Sequence, residues 1–138
     1  MTVKFLNSEN KRGYPISLYL EFVVVPETNP DLTISGNPTL SAPAIALVTP
    51  DLTNAAIRLK FFNYSDRLKT ATATPLLIIT SFTAVYNLPT NKSVIAVITG
   101  AQNATWKPGE IWYQAEIQPV GGEWISTPDY CGSFVLVA

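Results

Sequence analysis

The chain has no histidine, one cysteine and few charges: nine Lys and Arg stand against ten Asp and Glu in 138 residues, for a net charge of −1. Without histidine, the usual general base of a serine or cysteine nucleophile is missing. Cys131 has no second thiol for an internal disulfide and no companion ligands for a zinc or iron–sulfur site. No Gly-rich phosphate loop and no calcium-loop pattern occurs. The basic residues are scattered apart from Lys11-Arg12 and the group Arg58, Lys60, Arg67 and Lys69, so the continuous basic stripe that nucleic acid requires is absent. No run approaches the length of a membrane-spanning helix. The amino terminus, Met1-Thr-Val-Lys-Phe-Leu followed by Asn, Ser, Glu and Asn, has no apolar signal-peptide core. These absences predict a protein made in a cytoplasm that is not an enzyme, holds no metal or cofactor, and has neither nucleic acid nor a membrane as partner. Sequons at Asn63, Asn91 and Asn103 then read as chance in an Asn- and Thr-rich chain.

What is present is apolar and strand-forming. A hydrophobic fraction of 47% in 138 residues suits one folded domain spanning 1–138 with a sizeable core. From Glu110 to Gln118, Ile111, Tyr113, Ala115 and Ile117 alternate with Glu110, Trp112, Gln114, Glu116 and Gln118, the period of a half-buried strand. Pro108-Gly109 starts that strand and Gly121-Gly122 turns it back toward a last apolar strand around Gly132, Phe134 and Val135. Thr2 to Leu6 forms a short first strand. In a long second one, Ile16, Leu18, Leu20, Phe22 and Val24 share a face opposite Ser17, Tyr19, Glu21, Val23 and Val25. Ala56 to Phe62, Pro75 to Tyr86 and Ser93 to Thr99 are further strand segments, separated by turns at 63–66, 87–91 and 100–103. About eight strands with almost no helix predict an all-β, immunoglobulin-like antiparallel β-sandwich, with a jelly roll as the alternative.

Pro26 to Pro50 carries five prolines, too many for a helix, and too many apolar residues for a flexible linker. Ile34, Leu40, Ile45 and Leu47 are the anchors by which such an extended arm would dock on a neighbour. Glu110 and Glu116 share a strand face, as a glycosidase pair would, but alternation places both on the solvated side. Trp112 falls on that same side, where its large apolar surface calls for cover by a loop or a partner. Trp124, beside the Gly hairpin, and Tyr64, in a turn, are further candidate contacts, whereas Trp106 before Lys107-Pro-Gly reads as a core plug. Cys131 is expected at the entrance to the last strand, largely buried and unreactive.

The carboxyl third of the chain resembles immunoglobulin-like domains of tailed-bacteriophage virion proteins, including upper-baseplate and decoration domains. The residues that carry the resemblance are Val94 to Thr99, Pro108, Gly109, Ile111, Tyr113, Gly121, Gly122, Gly132, Phe134 and Val135. The family usually has Tyr two residues after the Gly, where this chain has Ile111, and the stretch from Pro26 to Pro50 has no counterpart. The resemblance implies a structural protein of a virion, contacting capsid or tail subunits and further copies of itself, as a decoration or cement protein or a neck, tail or baseplate accessory. Segments apolar on both faces, Val23 to Val25, Leu76 to Ile79 and Phe134 to Val137, agree with subunit packing. The alternative is a module binding a carbohydrate or host surface through Tyr64, Trp112 and Trp124. A sugar site would ring one exposed aromatic with polar side chains, and a subunit contact would set it in an apolar patch.

Overall fold

The computed structural model describes residues 1–23 and 52–138. The Pro26 to Pro50 segment, with Ile34, Leu40, Ile45 and Leu47, lies outside the described residues. Among the described residues, eight strands form two antiparallel four-stranded sheets. They are β1 (Thr2–Phe5), β2 (Ile16–Val23), β3 (Ala56–Asn63), β4 (Leu77–Ile79), β5 (Thr83–Leu88), β6 (Asn91–Ile98), β7 (Gly109–Gln118) and β8 (Cys131–Leu136). One sheet has the order β1-β2-β6-β5 and the other β4-β3-β7-β8. This is the A-B-E-D sheet of an immunoglobulin domain facing a C-F-G sheet extended by one strand, so the sandwich is of that type and not a jelly roll.

Alternation decides what the sheets bury. Ile16, Leu18, Leu20 and Phe22 of β2 and Val94, Ala96 and Ile98 of β6 turn inward and are buried, meeting Ile57, Leu59 and Phe61 of β3 and Ile111, Ala115 and Ile117 of β7. Aromatic rings close the open side between the sheets. Phe5 packs on Phe134 with centroids 4.9 Å apart, and Phe22 meets Tyr130 edge-on at 5.5 Å. Trp106 is buried against Phe61 at 5.7 Å, in the plug position its sequence context predicts.

Pro75 to Tyr86 is not one strand. The chain leaves the β3 sheet after Ile79 and enters the other sheet at Thr83, so the segment supplies β4 to one layer and β5 to the other. The apolar run hides this break because both halves are strand-like, and period alone does not say which sheet a residue joins.

The turn at 100–103 is a single helical turn, α1 (Gly100–Asn103), with a capping box between Thr99 and Gln102. Asn103 is fully buried and ties this connection to the β1–β2 turn. Its Oδ1 accepts from the Gly13 N–H at 2.6 Å, and its Nδ2 donates to the Tyr14 carbonyl at 2.9 Å. Gly100 sits so close to the Gly13 carbonyl that no Cβ fits between them, and Gly13 itself takes φ +86°. After β1 the chain crosses to the second sheet. There the Val137 N–H donates to Asn10 O at 2.9 Å and the Arg12 N–H donates to Val137 O at 2.8 Å, a short parallel bridge beside β8.

Candidate interaction surface

Tyr64, Trp112 and Trp124, scattered over sixty residues of sequence, lie along the outer face of the β4-β3-β7-β8 sheet. Register accounts for this. Phe62, Lys60, Arg58 and Ala56 of β3 stand opposite Trp112, Gln114, Glu116 and Gln118 of β7, all facing away from the core. At one end Tyr64, in the 3₁₀ turn that follows β3, meets Trp112 edge-on at 6.3 Å, with the Arg67 guanidinium 4.3 Å above the Tyr64 ring. Phe62 beside them is fully buried, although it faces outward. Trp112 is accordingly half-buried and not on a wet face, and its indole Nε1 is buried with no hydrogen-bond partner among the described residues. At the other end the Arg58 guanidinium lies 4.1 Å above the Trp124 ring.

Glu116, opposite Arg58 in the register, corrects the expectation that it is solvated. It is buried, receiving hydrogen bonds from Arg58 (Nη2 to Oε2, 2.8 Å; Nε to Oε1, 3.3 Å) and an ion pair from Lys60 Nζ at 2.9 Å. Burial pushes its carboxyl pKa up. The hydrogen bonds from Arg58 and Lys60 and their charges outweigh that effect and hold it below the ordinary carboxylate value. Glu110, the other carboxylate on this face, is exposed as its position predicts. The two carboxylates are therefore unlike in environment, one clamped by cations and one in water.

Cys131 opens β8 as expected but is half-buried, beside Trp112, Gln114, Ser126, Thr127 and Pro128 in a groove of about 340 Å³. Burial raises its thiol pKa, a hydrogen bond with Ser126 partly offsets this, and the Glu116 charge adds to the rise. Lys92 faces the interior at the far end of β6, donating to Ala55 O at 2.7 Å, and burial lowers its pKa. Among the described residues, no three His, Cys, Asp or Glu side chains converge on a metal site.

The outer face of the opposite sheet is less charged. Val23 (51% exposed), Tyr86 (49%), Leu88 (44%) and Val97 (47%) stand on it, with the half-buried Tyr19 and Ile95 between them. Lys4 and Glu21 are the charged residues of its described strands that face this way. These side chains escape notice in a search for motifs, although Val94-Ile-Ala-Val-Ile98 is apolar on both faces and carries the signal. Ile34, Leu40, Ile45 and Leu47 are placed on neither surface, because they lie outside the described residues.

No protein-family model matches this chain, and no curated protein shows significant similarity to it.

Proposed function

We propose that the chain is a non-enzymatic structural subunit of a tailed-bacteriophage virion, working through protein–protein contacts as a capsid decoration or cement protein or as a neck, tail or baseplate accessory. The observation that carries the reading is the outer face of the β1-β2-β6-β5 sheet, where Val23, Tyr86, Leu88 and Val97 stand exposed among few charges. Exposed apolar side chains standing among few charges are what the core of a subunit contact contains. The resemblance of the carboxyl third to virion immunoglobulin-like domains supplies the class of particle.

The test is the particle itself. Banded virions from the source culture should contain the chain by peptide mass spectrometry, and a Val23→Glu, Val97→Glu variant should fold yet fail to load. A chain abundant in the lysate but absent from purified particles ends the reading.

A carbohydrate-binding reading draws on the polar groups around Trp124, namely Arg58, Glu116 and Lys60. These groups are already engaged with one another, and the guanidinium already lies over the ring. The subunit reading therefore stands first.

A further inference from the structure

Among the described residues the two sheets have four edge strands, β1, β5, β4 and β8. An edge offers unpaired N–H and C=O groups to any other extended chain, and proteins blunt edges with charge, brevity or a bulge. Three of the four carry such a device. β1 has Lys4, β4 is three residues long, and β5 is bulged between Ala84 and Tyr86. β8 has none: Cys131-Gly-Ser-Phe-Val-Leu136 contains no charge and no proline, and its register with β7 runs unbroken.

The free part of this edge has defined limits. At the carboxyl end the groups of Val137 are taken by Asn10 and Arg12. At the other end the Cys131 N–H caps the 3₁₀ turn Pro128–Tyr130 by donating to Pro128 O. Groups of alternate residues point to opposite sides of a strand, so Val135, Ser133 and Cys131 turn their backbone groups away from β7, as Val137 does. Among the described residues nothing pairs with the Ser133 and Val135 groups or with Cys131 O.

We propose that this edge pairs antiparallel with the β8 edge of a second copy, about a two-fold axis at Ser133, joining two four-stranded sheets into one of eight. The inference goes beyond the virion reading and does not depend on it. A two-fold sets residue i against residue j with a constant sum, and opposed side chains must share a face of the sheet. Centring on Ser133 sets Cys131 against Val135 on the outer face and Gly132 against Phe134 on the inner one. The two Ser133 residues then exchange both bonds, and each Val135 N–H donates to the other copy's Cys131 O. One feature favours a second copy over an unrelated strand: the free stretch from Cys131 to Val135 carries no charge that would face its own like across the axis. Moving the centre to Phe134 would drive Cys131 against Val137, whose edge Asn10 and Arg12 already occupy.

Hydrogen-bonded opposite residues have Cα atoms about 5.5 Å apart, within disulfide range. The Cys131→Ser, Ser133→Cys chain should therefore run as a reducible dimer after mild oxidation, while Cys131→Ser, Thr2→Cys, cysteine-bearing at the β1 edge, should not. The unmodified chain should have the mass of a dimer by light scattering. Ser133→Asp, which sets two carboxylates across the axis at an exposed position, should lose the dimer while keeping its circular dichroism. A monomeric unmodified chain, a dimer that Ser133→Cys does not cross-link, equal cross-linking from Thr2→Cys, or a Ser133→Asp chain that stays dimeric would overturn the proposal. None of these measurements uses a particle, so they fail or succeed separately from the virion test.

Discussion

Tyr113 lays its ring across Gly132, its partner on the neighbouring strand, so closely that a Cβ at position 132 would overlap the phenol oxygen. The glycine weakens β8 by itself, and the aromatic ring restores the packing that a side chain would have given. Burial raises the Tyr113 pKa, with Cys131 adding to the rise, so the phenol stays neutral through the physiological range.

Gly132→Ala should therefore destabilise the fold by about 1–3 kcal/mol, because the ring must leave its place. Gly132→Ala combined with Tyr113→Ala should cost less than the sum of the two single changes. Urea denaturation of the three variants measures the coupling, and strict additivity would show that the two residues do not share a site.

Glu116 makes stability depend on pH. Its folded pKa is depressed, so its contribution is complete above the unfolded glutamate pKa of about 4.3 and is lost as pH falls through the lower folded value. The stability difference between the native chain and Glu116→Gln should be largest at neutral pH and shrink as the pH is lowered below about 4. Midpoints of chemical denaturation across pH 2–7 check this, and a constant difference would contradict the ion-pair assignment.

Asn103 should be among the most sensitive polar positions. Asn103→Leu leaves the Gly13 N–H and Tyr14 carbonyl without their partner, at a cost of about 2 kcal/mol or more. Amide exchange should rise first at Gly13, since that N–H loses its acceptor. Unchanged protection there would mean that the turn holds without the side chain.

Cys131 should react slowly with a thiol reagent at neutral pH, because burial raises its pKa and leaves little thiolate. Labelling should quicken as the pH rises above the ordinary thiol value of about 8.5. Fast labelling at pH 7 would place the thiol in a more open site than the groove beside Trp112.

The phage assignment is a matter for the particle experiments, and the segment from Pro26 to Pro50 lies outside the described residues. The fold is a matter of pattern. Alternation in Ile16 to Phe22, Ala56 to Phe62 and Glu110 to Gln118 told inside from outside because a strand's side chains change face at every residue, a rule that needs no knowledge of neighbours. The same locality explains why Trp106 and the entrance of β8 at Cys131 were legible. What alternation does not contain is the identity of the strand next door. Only the register of β3 against β7 brought Arg58 and Lys60 onto Glu116, turning a residue expected in water into a buried, clamped carboxylate. Only the crossing between sheets after Ile79 divided Pro75 to Tyr86. Gathering Tyr64, Trp112 and Trp124 on one face, and leaving β8 at an edge among the described residues, likewise took long-range pairing. The sequence by itself determined the inner and outer sides of the alternating strands β2, β3 and β7, because that is a property of neighbouring residues. The tertiary structure decided which charges meet, which aromatics share a surface and which edge is free, because those depend on contacts between residues far apart in the chain.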